Sequence, residues 1–110
     1  MTLVRMYVYA RKKQEAMKIF ENVFHKITSQ ILEMKIVACE PYWKIDGQYH
    51  MCAEIEFENA FLYSEKFDEF LMTISNHWKK AGENLIAAQY IDGCTNMPQD
   101  IYFVYITRTI

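Results

Sequence analysis

The chain has 110 residues, 52% of them hydrophobic, and a formal net charge of −2. That size predicts a single domain over residues 1–110, with enough apolar material for a core without disulfide or metal staples. The slight acidity argues against a general nucleic-acid binder, no apolar run approaches membrane-spanning length, and three cysteines without metal spacing imply no disulfide framework. Free thiols and the lack of a basic start followed by an apolar run point to a cytoplasmic chain without a standard export signal.

Thr2 to Ala10 reads as a strand, with Val4, Met6, Val8 and Ala10 toward the core and Arg5, Tyr7 and Tyr9 away from it. Arg11 to about Leu32 reads as a helix, because Met17, Phe20, Val23, Phe24, Ile27 and Ile31 recur at three- and four-residue steps. Lys35 to Glu58 reads as a hairpin. Asp46-Gly47 between two β-rich runs predicts a type I′ turn, which sets Ile45 opposite Gln48 and Lys35 opposite Glu58. Trp43, Pro41, Cys39 and Val37 then share a face with His50, Cys52, Glu54 and Glu56. Tyr42, Ala38 and Ile36 meet the core with Met51, Ile55 and Phe57. Pro41 has no N–H for a ladder, so the first of these strands is expected at an edge. Glu40 falls on the core face in this register, and a bulge near Pro41 would relieve it.

Asn59 to Tyr63 is expected to be a short connection. Ser64 is the expected N-cap of a helix over residues 65–81, with Glu65, Asp68 and Glu69 near its positive end. Phe67, Phe70, Leu71, Ile74 and Trp78 form its apolar stripe, Lys79 and Lys80 its last turn, and Gly82 its C′ residue. Leu85 to Ile91 and Ile101 to Thr109 read as strands around a loop at Asp92 to Asp100. The fold class is therefore α+β: a ferredoxin-like βαββαβ with an additional C-terminal strand, one antiparallel-rich sheet and two helices on one face. The other face would expose Arg5, Tyr7, Tyr9, Trp43, His50, Cys52, Glu54 and Glu56. It is either a binding surface, a dimer interface, or plain surface partly covered by the 92–100 loop.

Motifs for chemistry are missing. There is no phosphate-binding glycine loop, no G-x-S-x-G, H-E-x-x-H or C-x-x-C. His50 with Cys52 and Cys39 resembles a zinc constellation only loosely, since one strand face rarely converges side chains on an ion. His50 beside Cys52 points parallel to it rather than toward it. Tyr7 and Tyr9 sit where an RNA-recognition sheet stacks bases, but Tyr49 to Glu56 is acidic where RNA needs basic residues. No catalytic residue, cofactor or metal is assigned. Charge is uneven instead. Arg11 to Lys35 holds six basic residues (Arg11, Lys12, Lys13, Lys18, Lys26, Lys35) against three acidic (Glu15, Glu21, Glu33). Glu40 to Glu69 holds two basic (Lys44, Lys66) against eight acidic (Glu40, Asp46, Glu54, Glu56, Glu58, Glu65, Asp68, Glu69). Such a field steers a cationic partner, although solvated faces alone would give the same pattern.

A small, slightly acidic α+β chain with an aromatic and acidic surface resembles the immunity proteins of bacterial toxin–immunity pairs, such as those of contact-dependent growth inhibition. The resemblance covers the whole chain in general character and rests on no diagnostic motif. It implies a non-enzymatic protein that neutralises a cognate toxin, usually a nuclease, by stoichiometric binding to a basic surface. Trp43, Tyr49, Glu54 and Glu56, with Asp92 and Asp100 in the loop, are the expected partner-binding anchors. The alternative is a homodimeric ferredoxin-like domain that binds or transforms a small molecule, with His50, Cys52 and Tyr7 in its pocket.

Overall fold

A computed structural model describes residues 1–58 and 60–109. Asn59, the expected start of the short connection, and Ile110 lie outside the described residues. The chain runs β1 (Thr2–Tyr9), α1 (Lys13–His25), β2 (Ile31–Pro41), β3 (Gln48–Phe57), α2 (Glu65–Ile74), β4 (Lys79–Ala81), β5 (Asn84–Ala88) and β6 (Ile101–Thr107). One antiparallel six-stranded sheet has the order β2-β3-β1-β6-β5-β4. No described helix is long and apolar enough to cross a membrane.

β1 alternates as its sequence predicts: Val4, Met6 and Val8 are buried while Arg5 and Tyr9 are exposed. The helices bury their apolar stripes in one core with these strand residues. Six phenylalanines run through that core as a chain of touching rings. Phe57 meets Phe61 at 5.3 Å, Phe61 meets Phe67 at 5.5 Å, and Phe67 meets Phe70 at 6.2 Å. Phe70 then reaches Phe24 at 5.4 Å, and Phe24 touches Phe20 at 4.8 Å, so the chain ties β3 to α2 and α2 to α1.

The expected helix over residues 11–32 ends at His25. The hydroxyl of β-branched Thr28 donates to the His25 carbonyl at 2.8 Å, and a 3₁₀ turn over Thr28–Gln30 redirects the chain. Ile31 therefore opens β2 rather than closing α1. A four-residue step from Ile27 to Ile31 looks helical whichever element follows.

The second helix starts as expected, with the Ser64 side chain accepting from the Phe67 N–H at 3.3 Å. It stops at Ile74, not at residue 81. The hydroxyl of buried Ser75 donates to the His77 carbonyl at 2.9 Å and accepts from the His77 N–H at 3.2 Å, a local bond that competes with helix continuation. Trp78 is half-buried outside the helix. Its indole N–H donates to the carbonyls of Leu71 at 3.0 Å and Ser75 at 3.1 Å, and so caps the C-terminus of α2. Trp78→Phe keeps the ring but removes that donor. The expected loss is about 1–2 kcal/mol in urea unfolding followed by circular dichroism.

Lys79 and Lys80 belong to edge strand β4, and Gly82 lies in the two-residue turn to β5. Its φ of +61° at the first central position suits a type II′ hairpin. A second correction concerns strand order. The expected layout placed the strand over residues 85–91 beside β1, with the last strand outside it. In the structure β6 pairs with β1 and β5 lies outside β6. The extra strands thus sit between α2 and the last strand, not at the C-terminus.

The Asp46-Gly47 hairpin is also corrected. Gly47 has a φ of +83°, but Asp46 has none of the positive φ that a type I′ turn requires. The connection is six residues, 42–47, closed by the Tyr42 N–H on the Gln48 carbonyl at 2.8 Å. Pro41 pairs with Tyr49 rather than Cys52, a slip of three residues that flips this end of β2. Cys39 now meets Met51 on the core side, and Glu40 meets His50 on the open face. Leaving Glu40 uncovered avoids burying an unpaired carboxylate, a cost that outweighs the turn preference. The bulge at Val37 widens the slip to four residues, so Lys35 returns to its expected face but stands opposite Glu54 rather than Glu58, and a second bulge at Leu32 shifts the register by one more. β2 is an edge strand, as Pro41 predicts.

Candidate functional site

The register lays out the helix-free face of the sheet row by row. One row runs Glu40, His50, Tyr7, Phe103, Ala88. The next runs Ala38, Cys52, Arg5, Tyr105, Ile86, Lys79, and the third Lys35, Glu54, Leu3, Thr107, Asn84, Ala81. Beyond them Glu33 stands directly opposite Glu56. The face thus has an aromatic centre and an acidic side on β2 and β3.

Tyr7 organises the aromatic centre. Its ring stacks on His50 at 5.1 Å, tilts against Tyr42 at 4.6 Å and meets Phe103 edge-on at 5.4 Å. Leu3, Arg5, Tyr7, Phe103, Tyr105 and Thr107 line a shallow depression of about 390 Å³. Burial, reinforced by the Tyr42 hydroxyl, raises the Tyr7 pKa, so the phenol stays protonated as a hydrogen-bond donor.

His50 Nδ1 lies 3.8 Å from Glu40 Oε1, and its Nε2 is buried without a hydrogen-bond partner. Burial lowers the His50 pKa and the Arg5 guanidinium adds to the effect, while Glu40 opposes both. The folded protein therefore takes up a proton at His50 less readily than the unfolded chain does. Stability contributed by neutral His50 is present above the unfolded value of about 6.5 and falls as pH drops through the lower folded value. His50→Gln should flatten that step in a series of melting temperatures from neutral to mildly acidic pH. An unchanged profile would mean that His50 does not govern it.

The expected anchors do not gather in one place. Glu54 and Glu56 stand two residues apart on the open face, the first half-buried between Lys35 and Leu3, the second exposed. Trp43 is 83% exposed in the 42–47 connection, with Lys44 Nζ 5.1 Å above its ring. Tyr49 points through the sheet and packs against the helix-side core, opposite Val8. Asp92 and Asp100 are both exposed. The Asp100 carbonyl accepts from the Tyr9 N–H at 2.8 Å, and Asp100 borders the groove between α1 and α2 with Asn22, Lys26 and Thr73.

The loop between β5 and β6 is tied to the segment after α2 at several points. Asn76 donates to the Gly93 carbonyl at 2.9 Å and accepts from the Thr95 N–H at 3.0 Å, while Asn96 accepts from the Asn76 N–H at 2.8 Å. The Cys94 thiol reaches the His77 carbonyl at 3.2 Å.

Sequence reasoning missed Tyr42, which the assumed turn buried, and Glu33 and Glu40, whose place on the open face follows only from the shifted register. The one available signal was the awkward position of Glu40 in the two-residue hairpin. Cys39 and Cys52 lie on opposite faces, so they cannot form one cluster with His50. Among the described residues no group of three or more His, Cys, Asp or Glu side chains could hold a metal ion. No protein-family model, curated protein or solved structure matches the chain.

Proposed function

We propose that this chain is an immunity protein that acts in the cytoplasm and neutralises a cognate bacterial toxin, a nuclease with a basic surface, by stoichiometric binding. The observation that supports this reading is the acidic side of the open face. Glu33, Glu40, Glu54 and Glu56 lie on β2 and β3 with Lys35 as the one basic residue among the registered open-face positions of those strands. Among the described residues no lysine or arginine comes within 4.0 Å of a carboxylate, since the one ion-pair contact is His50 with Glu40. Glu33 directly opposite Glu56 is a like-charge pair that costs stability in the free protein. A partner's lysines and arginines would relieve that cost on binding. Tyr7, Tyr42 and Phe103 beside the carboxylates supply apolar contact area of the kind that anchors protein interfaces. The proposed frame is a ferredoxin-like split βαβ fold, β1-α1-β2-β3-α2-β6, with the β4–β5 hairpin added between α2 and the last strand. The test is co-expression with the toxin domain encoded beside this chain. Restored growth supports the reading, and undiminished killing by every neighbouring toxin domain sinks it.

The second reading, a homodimeric domain that binds a small molecule, draws on the depression around Arg5, Tyr7 and Tyr105. A stoichiometric small ligand retained through purification would favour it over toxin binding.

A further inference from the structure

We propose that the outer edge of β2 is a self-association surface: two copies pair their β2 strands antiparallel about a twofold axis at Met34, and the two sheets become one. The inference is independent of what binds the open face, because edge-to-edge pairing leaves that face uncovered on both copies.

The two edges of the sheet are treated very differently. β4 is three exposed residues, Lys79–Ala81, short and basic in the way that protects an edge from pairing. β2 is the longest strand, 11 residues, and no other described backbone pairs with its outer side. Pro41 blocks only its far end. Its bulges at Leu32 and Val37 bracket a regular run over residues 33–36. Those two bulged side chains are 60% and 51% exposed, although both are apolar. A second strand laid along this edge would cover them.

Charge fixes the register. Residues opposed across an antiparallel pair must share a face of the sheet. Glu33 and Lys35 belong to the open face, opposite Glu56 and Glu54, while Met34 and Ile36 belong to the helix side. An axis at Met34 sets Glu33 against Lys35 of the second copy, and by symmetry Lys35 against its Glu33. It also sets Leu32 against Ile36 and Ile31 against Val37 of the second copy. Moving the axis to Lys35 puts lysine on lysine, and moving it to Glu33 puts glutamate on glutamate; either arrangement is disfavoured. Neither Glu33 nor Lys35 has an oppositely charged group within 4.0 Å among the described residues, so both are free for the intermolecular pairs.

Sedimentation equilibrium over a micromolar-to-millimolar series tests this. The wild type should be a monomer–dimer system. Lys35→Glu and Glu33→Lys should each weaken dimerisation by about tenfold or more, since two attractive cross-strand pairs become repulsive. The double variant Glu33→Lys, Lys35→Glu should restore it. A wild type that stays monomeric throughout overturns the proposal. So does a dimer indifferent to the single charge reversals, and a double variant no better than the singles overturns the Met34 axis. Amide hydrogen exchange on the wild type needs no variant to fold. Amides over residues 32–36 should exchange more slowly as concentration rises, and concentration-independent exchange there overturns the pairing.

Discussion

Phe24→Ala should destabilise the protein by about 3–5 kcal/mol, the usual range for truncating a buried aromatic to alanine. Phe24 is 2% exposed and lies between Phe20 on its own helix and Phe70 on α2. Removing its ring breaks the phenylalanine chain at the joint that holds the helices together, and opens a cavity that the sheet on one side cannot fill. The loss would be a large part of the stability of an ordinary small domain. Urea unfolding monitored by circular dichroism measures it. Loss of less than about 1 kcal/mol would contradict a fully packed Phe24, because even partial collapse around a missing phenyl ring costs more than that.

Reversing Glu54 and Glu56 to lysine together should abolish tight binding to the proposed toxin partner. The expected cost is about 2 kcal/mol or more, roughly a thirtyfold rise in Kd, with the double substitution turning attraction into repulsion. The fold should survive. Both residues stand on the helix-free face, and the relief of the Glu33 repulsion by a lysine at position 56 offsets the like-charge pair that a lysine at position 54 makes with Lys35. Stopped-flow association with the wild type should slow as salt rises, while dissociation changes less. Co-expression with the toxin, counted as surviving cells, gives the second readout, with circular dichroism as the check on folding. A folded double variant that protects fully would move the interface away from β3. Loss of protection by Asp92 and Asp100 variants would then place it at the loop between β5 and β6.

The sequence carries local signals well and tertiary compromises poorly. The alternation in β1 and the cap at Ser64 depend on neighbours in the chain, and both appear as expected. Pro41 marks β2 as an edge for a reason that is also local. The hairpin register depends on something else: whether the sheet tolerates Glu40 in its core. Asp46-Gly47 favours one turn, the carboxylate disfavours the face that turn would impose, and only the assembled sheet decides between them. Helix ends were hidden for a related reason. Ile31 and Trp78 continue their stripes at the right spacing, but Thr28 and Ser75 offer the backbone other hydrogen bonds. Of the proposed site, the acidic pair on β3 was legible because parity within one strand survives any register. By that same parity Tyr49, two residues from Met51, shares the core face, where it is half-buried.

The pairing of β1 with β6 matters before folding is complete. Leu3 stands opposite Thr107, and the Thr2 hydroxyl donates to the Arg108 carbonyl at 2.7 Å, so the first and last strands described here lie side by side in the middle of the sheet. A ribosome delivers β1 well before β6, with every other element of the sheet between them. Until β6 emerges, one edge of β1 has no neighbour and the β4–β5 hairpin has nothing to dock against. The nascent chain can assemble β1, β2 and β3 with α1, but it must hold that half-sheet open, with Val4, Met6 and Val8 in an unfinished core. Translation speed and chaperone access before β6 emerges therefore bear on the yield of folded protein more than they would if β6 lay at an edge.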